Sequence, residues 1–188
     1  MHTSLLILKK ASVLWATAFL CSFTAQNQLF ETSKGMVNFK SEAPLEIIQA
    51  SSSGLVGLID ATKNTFSFSV SMNTFKGFNS QLQKVHFNEN YVESEKYPQA
   101  SFKGKIIEDA DLMKNGLYHV RTKGTFSIHG IAQERIIKAD IAVNNGSITV
   151  KSSFEVLLSD HNIPIPKVVN QKLANSIKID INAVLQPK

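Results

Sequence analysis

The chain has 188 residues, 43% of them hydrophobic and 19% charged, with 20 Lys+Arg against 15 Asp+Glu, which is material for one globular domain and excludes both a disordered chain and a multidomain enzyme. Cys21 is the only cysteine, so a disulfide framework, a thiolate zinc site and an iron–sulfur cluster are excluded. The formal charge of +5 comes from scattered Lys and Arg, a pattern that points away from nucleic acid as a partner.

Lys9-Lys10 precede thirteen uncharged, mostly apolar residues, Ala11 to Phe23, after which Thr24-Ala25-Gln26 turns polar. This reads as a secretory signal peptide over 1–25, cut after Ala25, followed by one domain over 26–188. Thirteen helical residues rise only about 20 Å against a hydrocarbon core of about 30 Å, so no stable transmembrane anchor is expected. Acylation of Cys21 is the competing reading. Leu20 stands against it, because a small residue usually precedes such a site. Loss of the leader removes Cys21, Trp15 and two lysines, leaving a cysteine-free chain, periplasmic or secreted, that must be held together by its core.

Beyond residue 26 the dominant signal is period-two alternation. Segments 35–41, 45–51 and 55–61 are short strand candidates. In 65–72, Phe66, Phe68, Val70 and Met72 alternate with Thr65, Ser67, Ser69 and Ser71, the pattern of a half-buried strand. From Asn79 to Tyr91 the period is lost. Leu82, Val85 and Phe87 follow a possible cap at Asn79 or Ser80, which predicts a short helix between the fourth and fifth strands. Strands resume at 101–107 and 118–128, where Tyr118, Val120, Phe126 and Ile128 share one face with Thr122 and Gly124. They continue at 135–143, 148–156 (Ile148, Val150, Phe154, Val156) and 177–185 (Ile177, Ile179, Ile181, Ala183, Leu185). Asn145-Gly146 is a hairpin signal, Asn115-Gly116 marks a second turn, and a second short helix fits 167–175, after Pro164 and Pro166.

Eight or nine such strands form an antiparallel meander whose single apolar face must be buried by closure or by a second sheet. About eight strands close into a barrel that is either filled by its own side chains or holds one small ligand. Large inward residues (Phe66, Phe68, Phe102, Phe126, Phe154) are interrupted by Gly104, Gly124, Ser152, Ala139 and Ala183. These small residues either complement the large ones in a packed core or leave room for an elongated apolar ligand.

Other chemistry is weakly supported. His119 and His129 lie on the polar face of one strand, roughly 33 Å apart, too distant to share a metal. His86, Glu89 and Glu93 have helical spacing but form a lone cluster, and the local expectation is a hydrogen-bonded His86 with solvated glutamates. Ser159, Asp160 and His161 contain the letters of a catalytic triad on an extended segment whose neighbours point to opposite faces. No nucleophile elbow, Gly-rich phosphate loop or Walker motif is present. An outer-membrane barrel would have to place Lys103, Lys105, Arg121, Lys123 and Lys151 in its lumen, and the chain ends Leu185-Gln186-Pro187-Lys188 without a terminal aromatic. No catalytic residue, metal or cofactor is therefore expected.

Three segments resemble one family. The run His86-Phe87-Asn88-Glu89-Asn90-Tyr91-Val92-Glu93-Ser94-Glu95-Lys96-Tyr97-Pro98-Gln99-Ala100-Ser101-Phe102-Lys103-Gly104 is similar to the central segment of the YceI-like proteins. Gly124-Thr125-Phe126-Ser127-Ile128-His129-Gly130 resembles their histidine-glycine hairpin, and Asp160-His161-Asn162-Ile163-Pro164-Ile165-Pro166 their late strand-to-helix junction. The resemblance spans about 35–188. It implies an all-β, closed antiparallel lipocalin-like barrel, with one or two short helices, that is exported and that binds, sequesters or transports a polyisoprenoid or other long amphiphilic lipid in its lumen without catalysis. The expected lumen residues are then Phe66, Phe68, Val70, Met72, Phe102, Phe126, Phe154, Val156, Ile179 and Ile181, and the expected lid is Leu82, Val85, Phe87 and Tyr91. Gly54-Leu55-Val56-Gly57-Leu58-Ile59 departs from the commoner glycine, x, phenylalanine opening of the family. The alternative is a filled barrel acting as a structural or protein-interaction module of the cell envelope, and a homodimer is compatible with either.

Overall fold

The alternating segments become eight antiparallel strands in a computed structural model of the chain, which describes residues 28–188. The expected leader and Cys21 lie outside the described residues. The strands are β1 (Leu29–Glu42), β2 (Ile47–Asp60), β3 (Thr65–Ser71), β4 (Gln99–Ile106), β5 (Gly116–Ile128), β6 (Ile131–Asn144), β7 (Ser147–Leu157) and β8 (Ser176–Pro187). Each pairs with the next, and β8 returns to β1, giving a closed barrel in sequence order. Closure leaves neither terminal strand with a free edge.

The nine sequence candidates become eight strands because 45–51 and 55–61 are one. Ser51-Ser52-Ser53-Gly54 reads as a break, yet β2 runs through it. Ser52 is buried, and its hydroxyl hydrogen-bonds to Thr74 Oγ1 at 2.6 Å while accepting from Gly54 N at 3.1 Å. Opposite this stretch the β1–β2 register shifts on both sides of Gly35, as in a bulge that bends a long strand around a barrel. The helix accordingly enters between the third and fourth strands.

That helix, α1 (Gln81–His86), is short and continues as a π-helical turn, Phe87–Tyr91. Ser80 caps it, accepting from Gln83 N at 3.2 Å. The second expected helix is a single 3₁₀ turn, Lys167–Val169. Asn145 (φ 48°) and Gly146 (φ 77°) make the primed turn expected between β6 and β7. At Asn115-Gly116 the turning is instead done upstream, where Lys114 N donates to Asp111 O at 3.0 Å, and Gly116 already begins β5.

Inward residues follow the predicted alternation, with Val120, Thr122 and Phe126 of β5 buried between exposed His119, Arg121, Lys123 and Thr125. Lys103, Lys105 and Lys151 are also exposed. A charged exterior around an apolar interior is the reverse of a lipid-facing barrel.

One end of the barrel is packed solid. Ile59, Leu112, Ile148 and Leu185 are fully buried there, with Phe30, Ala61, Ile106, Ala110 and Val120 in the same core. Leu112 comes from the β4–β5 loop, which acts as a plug. Tyr118 holds that loop by donating its hydroxyl to Asp111 O at 2.7 Å.

The wall has a seam between β6 and β7. β6 and β7 pair only over Asp140–Asn144 and Ser147–Lys151. Beyond that, side chains bridge the strands. Arg135 Nη2 donates to Glu155 O at 2.7 Å and Ser152 Oγ to Lys138 O at 2.7 Å, while Gln133 Nε2 reaches Asp160 O, in the turn after β7, at 3.1 Å.

Candidate functional site

At the end opposite the Leu112 plug the barrel is hollow. A cavity of about 410 Å³ opens there, within the roughly 300–1,000 Å³ typical of small-molecule sites. Its walls are Val37, Phe39, Val70, Met72, Phe126, Phe154, Val156, Ile179 and Ile181, all contributed by strands or by the turn after β3. Ile48, Leu158, Ile163 and Leu173 continue the apolar lining towards the mouth.

Aromatic rings roof the cavity. Phe39, Phe75, Phe78 and Phe87 form a cluster with centroid separations of 5.2–5.9 Å. Phe87 comes from the π-helical turn, Phe75 and Phe78 from the segment between β3 and α1, and Phe39 from β1. Such contacts fix ring orientation beyond simple burial, each by roughly 0.5–1.5 kcal/mol. On the other wall Phe126 meets Phe154 edge-on at 5.9 Å and His161 at 5.3 Å.

Apart from Ser101 of β4, the polar residues that reach the cavity, Glu46, Ser80, Gln83, His86, Tyr91 and Lys172, gather at the mouth. Gln83 donates its amide to the Glu46 carboxylate. Burial, reinforced by the nearby Glu46 charge, pushes the Tyr91 phenol up, so it stays neutral and able to donate. The site is therefore an apolar sack with a small hydrogen-bonding collar, suited to a long apolar body with a polar end.

Of the residues expected in the lumen, Val70, Met72, Phe126, Phe154, Val156, Ile179 and Ile181 line the cavity. Phe66, Phe68 and Phe102 are placed outside it. They pack together below the cavity, with Phe66 and Phe102 centroids 5.0 Å apart and Phe66 and Phe68 6.1 Å apart. Among the expected lid residues Leu82, Phe87 and Tyr91 reach the cavity, and Val85 does not.

Of the two roles open to the small residues, making the hollow is not the one found at this cavity. None of Gly104, Gly124, Ser152, Ala139 and Ala183 is in its lining. Gly104 and Gly124 face each other across β4 and β5, and a Cβ on either would fall 2.1–2.2 Å from a backbone oxygen of the other strand. They permit a close approach of two backbones. Phe39, Phe75, Phe78, Ile48 and Leu173 escaped the alternation argument because most sit in loops or at irregular strand ends. The Phe75 and Phe78 pair in an otherwise polar loop is the signal that could have found the roof.

Among the histidines, His119 is as expected, and His129 and His161 differ. His119 is exposed and bonded to Asp140 at 2.6 Å. His129 is not on an exposed strand face: it occupies the β5–β6 turn at φ 52°, only 9% exposed, edge-on to Tyr97 at 4.8 Å. Its Nδ1 donates to His161 O at 2.9 Å, and its Nε2 lies 3.5 Å from Glu93 Oε1. His161 is not on an extended segment either. It ends the 3₁₀ turn Leu158–His161, fully buried, with Nδ1 donating to Ile131 O at 3.2 Å. Glu93 pairs here and with Lys96, while His86 borders the cavity and Glu89 is exposed. Among the described residues, no group of three His, Cys, Asp or Glu is placed to hold a metal.

Comparison with known proteins gives the same fold. A polyisoprenoid-binding domain from Saccharophagus degradans, implicated in plant cell wall breakdown, superposes with a TM-score of 0.73 at 12% identity, covering 87% of this chain and 100% of that one. Burkholderia cenocepacia BcnA superposes at 0.67 with 15% identity, covering 81% and 96%. The Campylobacter jejuni YCEI protein superposes at 0.54 with 13% identity, covering 96% and 99%. No curated protein matches. The YceI-like domain pattern matches residues 17–185, nearly the whole length, and the chain belongs to the YceI-like domain family.

Proposed function

We infer that the protein binds a polyisoprenoid or similar long amphiphilic lipid in this cavity and sequesters or transports it, without catalysis, as an exported periplasmic or secreted protein. The observation that carries the reading is the cavity's apolar wall, broken by Ser101 alone, with the other polar groups gathered at its mouth. Each buried methylene contributes about 0.8 kcal/mol, so a five-carbon unit contributes on the order of 4 kcal/mol before ordering terms are subtracted. An apolar tunnel alone therefore retains a polyprenyl chain, and the collar of Glu46, Gln83, His86 and Tyr91 orients its polar end. The Saccharophagus degradans domain, described as polyisoprenoid-binding, supports the ligand class. The apolar run Ala11–Phe23 supports export.

The test is mass spectrometry of organic extracts from protein purified without detergent, followed by titration of the stripped protein with a polyprenyl alcohol. A co-purifying lipid, or saturable uptake of the alcohol, is expected. Absence of both overturns the reading and leaves the interaction module of the cell envelope as the account of the fold.

A further inference from the structure

The mouth of the cavity is rimmed by apolar side chains that point to solvent. Leu45 is 66% exposed, Ile47 51% and Leu82 62%. They come from two segments that hydrogen bonds hold together. Asn79 Nδ2, just before α1, donates to Ile47 O at 2.9 Å, Gln83 bonds Glu46, and Leu45 N donates to Gln171 O at 2.9 Å. Leu82 itself lines the cavity, so the exposed apolar surface is continuous with the lumen. Exposed Ile136, by contrast, faces Lys123 across the ladder.

Charge supplies the second argument. Lys84 on α1 and Lys167 and Lys172 on the segment packed against Leu45 have no carboxylate partner among the described residues. Glu46 is engaged by Gln83 and Glu42 by Lys40, while Glu89 and Glu95 of the segment before β4 are exposed. Clustered apolar side chains flanked by free lysines complement an anionic bilayer surface, where the apolar groups enter the headgroup region and the ammonium groups meet phosphate.

We propose that this rim docks the protein, mouth first, onto an anionic lipid bilayer, so that ligand passes between membrane and cavity without crossing water. The proposal rests on the lipid-binding reading, and the experiment keeps the two apart. Sedimentation with large unilamellar vesicles of phosphatidylcholine alone, or with phosphatidylglycerol added, measures docking. Uptake of a polyprenyl alcohol in vesicle-free solution measures the cavity. The full chain is expected to bind the anionic vesicles and to dissociate at high salt. Leu45→Ser with Ile47→Ser, neither residue lining the cavity, is expected to lower vesicle partitioning about tenfold with uptake unchanged. Lys84→Gln and Lys167→Gln are expected to lower it about fivefold each. Unchanged folding of these surface variants is checked by circular dichroism. No binding to either vesicle, or binding insensitive to both sets of substitutions, overturns the proposal. Loss of uptake without loss of docking counts against the cavity reading alone.

Discussion

The two ends of the barrel are built from the same strands and the same alternating pattern, yet one is solid and the other hollow. At the solid end, Leu112 is driven into the lumen by its loop and meets Ile59, Ile148 and Leu185, all fully buried. At the hollow end the loop residues that turn inward, among them Phe75, Ile163 and Leu173, line the cavity rather than fill it. The segment between β3 and β4 spans the opening as a roof, its aromatic rings engaging one another more than the opposite wall. The difference teaches that a barrel's capacity is decided by the segments that cover its ends rather than by its wall.

This contrast can be broken at either end. Leu112→Ala removes a fully enclosed side chain and is expected to cost about 2–5 kcal/mol, read by denaturant unfolding, with lipid uptake by the folded fraction unchanged. Gly124→Ala places a methyl 2.2 Å from Lys103 O and is expected to destabilise by about 1–3 kcal/mol, because two backbones must separate. Ile179→Trp projects into the hollow end and is expected to reduce polyprenyl uptake at least tenfold, with a stability change of about 1.5 kcal/mol or less because space is available. An equal loss of stability at Ile179 and Leu112 would show that both ends are filled.

The smallest effect concerns pH. Burial holds His161 below the usual imidazole range, so the folded state binds fewer protons than the unfolded chain once pH drops below about 6.5. The contribution is fully present above that pH and lost as pH falls towards the folded value, with a slope of at most about 1.4 kcal/mol per unit. His161→Asn, which keeps a donor towards Ile131 O, is expected to flatten this part of the stability profile. An unchanged slope in the variant would assign the dependence to other groups.

Much of the wall was legible because alternation is a local property. Val70, Met72, Phe126, Phe154, Val156, Ile179 and Ile181 could each be placed on the inward face from neighbours two residues away. Depth was not legible. Phe66 and Val70 share a face and a strand, yet Phe66 packs below the cavity and Val70 borders it, because height along the barrel axis depends on the register of every strand. The serine-rich break in β2 was misleading for a related reason. Ser52 is satisfied by Thr74, twenty-two residues away, a partner that composition does not name.

The sequence by itself determined an all-β chain, its inward and outward faces and the Asn145-Gly146 turn, since each follows from spacing over a few residues, and three separated segments carried the resemblance to the family. Only the tertiary structure decided that the barrel is half filled, that His129 and His161 are buried together, and that Leu45, Ile47 and Leu82 share a rim around one mouth. Those outcomes depend on chain segments brought together from a distance, and no local pattern records which segments meet.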